Sequence, residues 1–232
     1  MIWLGLFIFA AVIYFVVSDI QLMKKGVLNS IPKKKIYQNI LVSEWSIVCI
    51  LIISWWLLDI QFKHLFYFEG AIETSMFMEN REMFAGVIVG IVVAGIILPM
   101  FMKSNKMAAA FEKIDFMLPK TLKQRITFFF IAVTAGVCEE IIFRGAVTYF
   151  FKNFPLDLPI WVVGIAGAII FGVAHWYQGI SGVLSTGLMG FVLFNLYIQT
   201  GSLLVPIILH FIIDVKFVFM PDWKKREGIA NA

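Results

Sequence analysis

The sequence predicts an all-α fold, a polytopic membrane bundle of about seven transmembrane helices. Three observations predict it. Hydrophobic residues make up 61% of the 232, well above the roughly half found in soluble domains. Mean hydropathy is +0.90. The apolar runs repeatedly approach the ~20 residues that cross a hydrocarbon core, and the lysines fall between them.

The expected spans are 2–20, 45–62, 84–102, 127–151, 160–179, 183–200 and 202–220. The first has no Lys or Arg before it, while Lys24 and Lys25 follow, and it shows no small-x-small cleavage site. It therefore reads as a retained helix with its N-terminus outside, and not as a signal peptide. Lys33, Lys34 and Lys35 extend the basic stretch before the second span. The loop after that second span is acidic, with Glu69, Glu73, Glu79 and Glu82. Lys103, Lys106, Lys113, Lys120, Lys123 and Arg125 follow the third span, and Lys224, Lys225 and Arg226 the last. An odd span count with the N-terminus outside puts every basic cluster in the cytoplasm, as the positive-inside rule requires. The segment 107–122 is amphipathic and basic, and reads either as a surface helix or as a solvated loop. The last two spans meet at Gly201 and should be antiparallel neighbours.

Glycine and alanine are dense in the fifth and sixth spans, where small side chains let helix backbones approach closely. The division expected is 1–126 for N-terminal spans and basic loops, 127–220 for a four-helix catalytic core, and 221–232 for a cytoplasmic tail. The net charge of +4 is modest, and the cations form no stripe beside stacking aromatics, so nucleic-acid binding is excluded. Cys49 and Cys138 both lie in apolar runs and suggest neither a disulfide framework nor a thiolate metal site. Cys138 reads as a packing residue. His64, Asp19, Asp59 and Lys216 stand near span ends and read as interfacial groups.

Glu139, Glu140 and Arg144 interrupt the apolar fourth span, and an ionisable residue at membrane depth is a functional candidate by default. Glu140 and Arg144 stand at i and i+4, one face of a helix, and can form an ion pair. Glu139 is turned about 140° away from Arg144 at 3.6 residues per turn. That leaves Glu140 and Arg144 as the structural pair and Glu139 as the reactive carboxylate, a competent general base. His175 closes the run Phe171-Gly172-Val173-Ala174-His175, and could share or relay the proton that Glu139 takes from water. His210 and Asp214 share a face of the last span. Asp214 either orients His210, or both face a substrate carbonyl.

Together these residues resemble the membrane-embedded CAAX-protease and bacteriocin-processing family, also called Abi. Glu139-Glu140-x-x-x-Arg144-Gly145, Phe171-x-x-x-His175 and His210-x-x-x-Asp214 occur in the family's order and spacing. The resemblance covers about 127–218. It implies an intramembrane endopeptidase acting on a membrane-associated peptide or protein, for peptide maturation or bacteriocin self-immunity. It further implies that Glu139 and His175 activate water while His210 and Asp214 hold the oxyanion. No cofactor is favoured. The alternative is zinc held by Glu139, His175, His210 and Asp214, since an ionised Asp214 suits a metal. The family pattern takes Asn or Asp at this position; Asn donates a hydrogen bond directly, while an Asp must be protonated to do so. Excess lysine over arginine points to a bacterial plasma membrane and to a leader or membrane peptide as substrate. The competing classes are a non-catalytic immunity protein and a proton-coupled transporter. No inverted repeat supports the transporter.

Overall fold

The structure, a computed structural model, describes residues 30–68, 111–153, 155 and 157–220, with scattered positions between 5 and 17. The expected spans 84–102 and most of 2–20 lie outside the described residues, as do Asp19, the acidic loop and the tail. Helices dominate the described residues, which form no strand beyond an isolated bridge between Tyr67 and Ser202.

Helix α1 is Lys33–Leu57. Pro32 starts it in an extended conformation (ψ 130°), its carbonyl taking the first amides of the helix. Tyr37, Glu44, Val48, Leu51 and Trp55 form its buried stripe, while Ile52, Ile53, Trp56 and Leu57 are exposed. A helix apolar on its outer face as well is built for lipid. The helix begins twelve residues before the expected span, so Lys33–Lys35 are its first turn rather than a loop. That turn has a tertiary anchor, because Lys33 donates to the carbonyls of Asp115 and Leu118. Helix α2, Lys63–Phe66, is a single turn.

Helix α3 is Leu122–Glu139. Thr121 and Gln124 cap it reciprocally, side chain to backbone amide in each direction, which satisfies two orphan donors. It continues without a break into a π-helical stretch, Glu140–Ala146, and then α4, Val147–Lys152. Helix α5 is Ile160–Ala174, followed by a 3₁₀ turn, Trp176–Gln178. Helix α6 is Gly179–Thr200 and α7 is Leu204–Phe219. The fifth span was expected to run to Gly179, but α5 stops at Ala174. Gly179 takes a positive φ of 74°, so the chain turns there and α6 starts earlier than expected. Gly201, at φ 65°, ends α6 in the left-handed conformation that glycine adopts without strain.

Contacts fix the relative directions. Tyr37 stacks on Phe128, Trp45 donates to Thr134, and Trp55 lies against Tyr149. Numbers rise together along both helices, so α1 and α3 run parallel. Helices α3 and α7 are antiparallel: Arg125 donates to the carbonyls of Val218 and Met220, and Gly136 lies against Ile207 and Phe211. Helices α5 and α6 form an antiparallel hairpin through Gly164 on Phe194 and Gly172 on Val183.

Three helices among the described residues are long and apolar enough to cross a membrane: Lys33–Leu57, the continuous Leu122–Lys152, and Trp176–Thr200 with the 3₁₀ turn included. Ile160–Ala174 is apolar but shorter. Helix α1, from the N-terminal part of the chain, places Val48, Leu51 and Trp55 in the same core as Ile141, Phe171 and Phe194. The segment before α3 is not one long amphipathic helix. Its Phe111 and Leu118 pack with Met220 beneath α7.

Glycine is required where α5 meets α6. A Cβ on Gly172 would stand 2.6 Å from the Val183 carbonyl oxygen, and backbone cannot yield as a flexible side chain can. Gly172→Ala should therefore cost about 1–3 kcal/mol of stability, read as a lower midpoint in detergent thermal unfolding. An unchanged midpoint would show that the hairpin tolerates separation.

Candidate active site

The site is built where α5 ends against the middle of the α3–α4 rod. Glu139 is the last α-helical residue before the π-helical stretch, and π-bulges widen a helix and re-aim its side chains. Glu140 and Arg144 are fully buried, with Arg144 Nη1 donating to Glu140 Oε1 at 2.8 Å. Arg144 Nη2 donates to the Gly190 carbonyl at 3.2 Å, and the guanidinium lies 4.3 Å over the Phe171 ring. One buried cation thus joins the rod to α5 and α6. A Cβ on Gly190 would crowd Phe171 at 2.8 Å, so glycine there lets the guanidinium and ring stack against bare backbone.

The second partner of Glu140 was not anticipated. His210 Nδ1 lies 2.7 Å from Glu140 Oε1. That oxygen already accepts from Arg144, so His210 Nδ1 is the donor. Asp214, the expected orienting group, stands instead at the other ring nitrogen, with Oδ2 3.5 Å from Nε2. His175 is also fixed. Its Nδ1 is 2.9 Å from the Phe171 carbonyl, and a carbonyl only accepts, so Nδ1 carries the proton and Nε2 presents a lone pair.

Both free ring nitrogens face Glu139. Its Oε2 is 3.7 Å from His175 Nε2 and 3.8 Å from His210 Nε2. These separations are too long for hydrogen bonds, and a polar gap of that size suits a bridging water. Oε2 is buried and has no hydrogen-bond partner. Four residues from three helices, Glu139, His175, His210 and Asp214, therefore converge, each named from its motif. The carboxylates lie at the two ends of a gradient: Glu140 is sealed while 29% of the Asp214 side chain is exposed. Solvent can reach the site from the Asp214 side. His175 stacks near Tyr177, and Tyr177 against Phe116, at that same margin.

Glu44 is the residue that sequence reasoning missed. It is buried on α1 and is an electrostatic neighbour of Glu139, His210 and Asp214. The signal was present, since Glu44 is a lone acid in the apolar run 36–58 and falls in register with Tyr37, Val48, Leu51 and Trp55. Starting the second span at Trp45 left it outside.

Cys138 is fully buried beside these groups and packs in the core. His64 lies against Tyr149, on the far side from the motifs. As to metal, no group of three or more His, Cys, Asp or Glu side chains among the described residues is arranged to hold an ion.

A family model described as Type II CAAX prenyl endopeptidase Rce1-like matches residues 121–215. That stretch holds all three motifs and every side chain that converges on Glu139. No curated protein and no solved structure matches the chain. With three membrane-length apolar helices, the chain is an integral membrane protein. Through residues 121–215 it is similar to the CAAX-protease family of membrane endopeptidases.

Proposed function

We propose that this protein is an intramembrane endopeptidase that hydrolyses a peptide bond by a metal-free, glutamate-type mechanism. One observation carries the reading. Glu139 Oε2 is buried, unpartnered and flanked at 3.7 and 3.8 Å by two histidine nitrogens from other helices.

Glu139 Oε2 takes a proton from water, and the water oxygen adds to the scissile carbonyl carbon. His175 Nε2, a lone pair fixed by the Phe171 carbonyl, shares that proton. The carbonyl becomes an oxyanion held by His210 Nε2 and Asp214. With Nδ1 committed to Glu140, His210 donates through Nε2 only as the imidazolium, and Glu140 stabilises that cation. Asp214 donates only when protonated. As the oxyanion collapses, the C–N bond breaks and the proton held at Glu139 passes to the leaving nitrogen. Glu140 and Arg144 do not touch the reacting atoms and hold His210 in place.

The substrate is a membrane-associated peptide, and we favour a bacterial leader or membrane peptide over a prenylated tail. The protein lies in a bacterial plasma membrane as a bundle of about seven spans, N-terminus outside and C-terminus cytoplasmic. The parallel directions of α1 and α3 support this, as does the basic cluster Lys33, Lys34, Lys35, Lys120, Lys123 and Arg125 at one end of both helices. The active site then opens to the cytoplasmic side.

Purified wild-type protein in lipid nanodiscs is expected to cleave at least one of two quenched fluorescent probes, a farnesylated peptide or an unmodified leader-type peptide. Activity should survive 1,10-phenanthroline with no stoichiometric metal found by elemental analysis. Chelator-sensitive activity that zinc restores would replace the metal-free mechanism with a zinc one. Absence of any cleavage, with Glu139 variants still losing protection against a bacteriocin, would favour the immunity protein.

A further inference from the structure

Glu44 has no place in the mechanism above, yet its position is costly to explain otherwise. It lies about 17 Å along α1 at 1.5 Å per residue, inside a helix of membrane length. Its exposure is 8%, and Oε2 is buried with no hydrogen-bond partner among the described residues. Buried polar groups without partners are rare, and each one calls for an explanation. The electrostatic neighbours of Glu44 are Glu139, His210 and Asp214, and Cys138 next to Glu139 is another.

The parallel register of α1 and α3 explains why. Trp45 Nε1 donates to Thr134 Oγ1 at 3.2 Å, which locks the two helices about one turn below Glu139. The buried stripe then turns Glu44 inward, while Trp45, the next residue, is exposed. Glu44 Oε2 and Glu139 Oε2 are both buried and unsatisfied, as is Glu140 Oε2 beside them, and Glu44 is an electrostatic neighbour of Glu139. Water is the smallest group that answers both, because it has two O–H donors and such sites are where buried waters occur.

We propose that Glu44 is a further catalytic residue, which holds the attacking water from the α1 side. The water donates one O–H to Glu139 and the other to Glu44. With both protons committed, its lone pairs point away from the two acids, toward the space where the scissile carbonyl docks. Glu139 then removes its proton, and Glu44 keeps the hydrogen bond throughout. No bond to Glu44 forms or breaks. The role rests on the endopeptidase reading but is separable from it, since the water can be seen whether or not a peptide is cut.

Two measurements test it on the full chain in nanodiscs. A high-resolution structure should show an ordered water within hydrogen-bond distance of both the Glu44 and Glu139 carboxyls. A Glu44 carboxyl bonded only to protein or lipid would overturn the proposal, even if the enzyme is active. In cleavage of the two quenched peptides, Glu44→Ala should lower kcat about 10–100-fold, the scale of a misplaced reactant, with KM nearly unchanged. Glu44→Gln retains an acceptor oxygen and should recover most of that loss. Wild-type kcat in Glu44→Ala, or equal loss in both variants, would overturn the role. Should Glu44→Ala fail to fold, the Gln variant and the water density still decide. Should the wild type cut neither peptide, the endopeptidase reading fails and the water density alone judges Glu44.

Discussion

Glu139→Gln should lower peptide cleavage by about 10²–10⁴-fold, the usual contribution of a general base, and leave the protein folded. The size follows from what surrounds the carboxylate. Oε2 makes no hydrogen bond and sits 3.7 and 3.8 Å from two histidines, so no structural contact depends on its charge. An amide of the same shape fills the same space but cannot take a proton from water. His175→Ala should lose less, because Glu139 remains, and the two losses should not add if both serve one proton transfer. Single-turnover cleavage in nanodiscs measures the rate, and size-exclusion profiles with thermal unfolding report on the fold. A Glu139→Gln protein that cleaves at the wild-type rate would move the chemistry elsewhere.

Arg144→Ala should behave in the opposite way and damage folding first. The guanidinium joins Glu140, the Gly190 carbonyl and the Phe171 ring. Removing it leaves a fully buried Glu140 with His210 alone, and breaking a buried pair at one partner costs about 3–5 kcal/mol. It also loosens Phe171, which packs on His175 and His210. Low yield and a markedly lower unfolding midpoint are expected. Arg144→Lys keeps one charge but loses the fork that reaches two partners, so it should fall between. The double variant Glu140→Gln with Arg144→Ala should be more stable than Arg144→Ala alone, since it removes the stranded charge. A stable, well-expressed but inactive Arg144→Ala protein would contradict this division of roles.

The contrast between Glu139 and Glu140 shows what chain order can and cannot carry. Their burden in an apolar helix is visible in the sequence because hydrocarbon penalises charge. Which of the two pairs with Arg144 was inferred from a 3.6-residue turn. The backbone there is π-helical instead, although Arg144 still meets Glu140. The bond from His210 to Glu140 joins positions seventy residues apart, and no local pattern announces it. The i, i+4 spacing puts Asp214 on the face of His210, and its carboxylate stands 3.5 Å from Nε2 of that imidazole.

Hydropathy, lysine placement and three spaced motifs determined the class of this protein, its membrane setting and the residues around Glu139. Those are properties of one segment at a time, since burying a charge or spanning hydrocarbon is decided within each helix. Tertiary structure decided the rest. It ended α5 at Ala174, set α1 parallel to α3, gave His210 to Glu140, and made Glu44 an electrostatic neighbour of Glu139. These depend on the register between helices, which is set by interhelical packing of small residues such as Gly172, Gly136 and Gly190 and by contacts such as Trp45 on Thr134. Single-chain periodicity carries no information about which helix lies opposite.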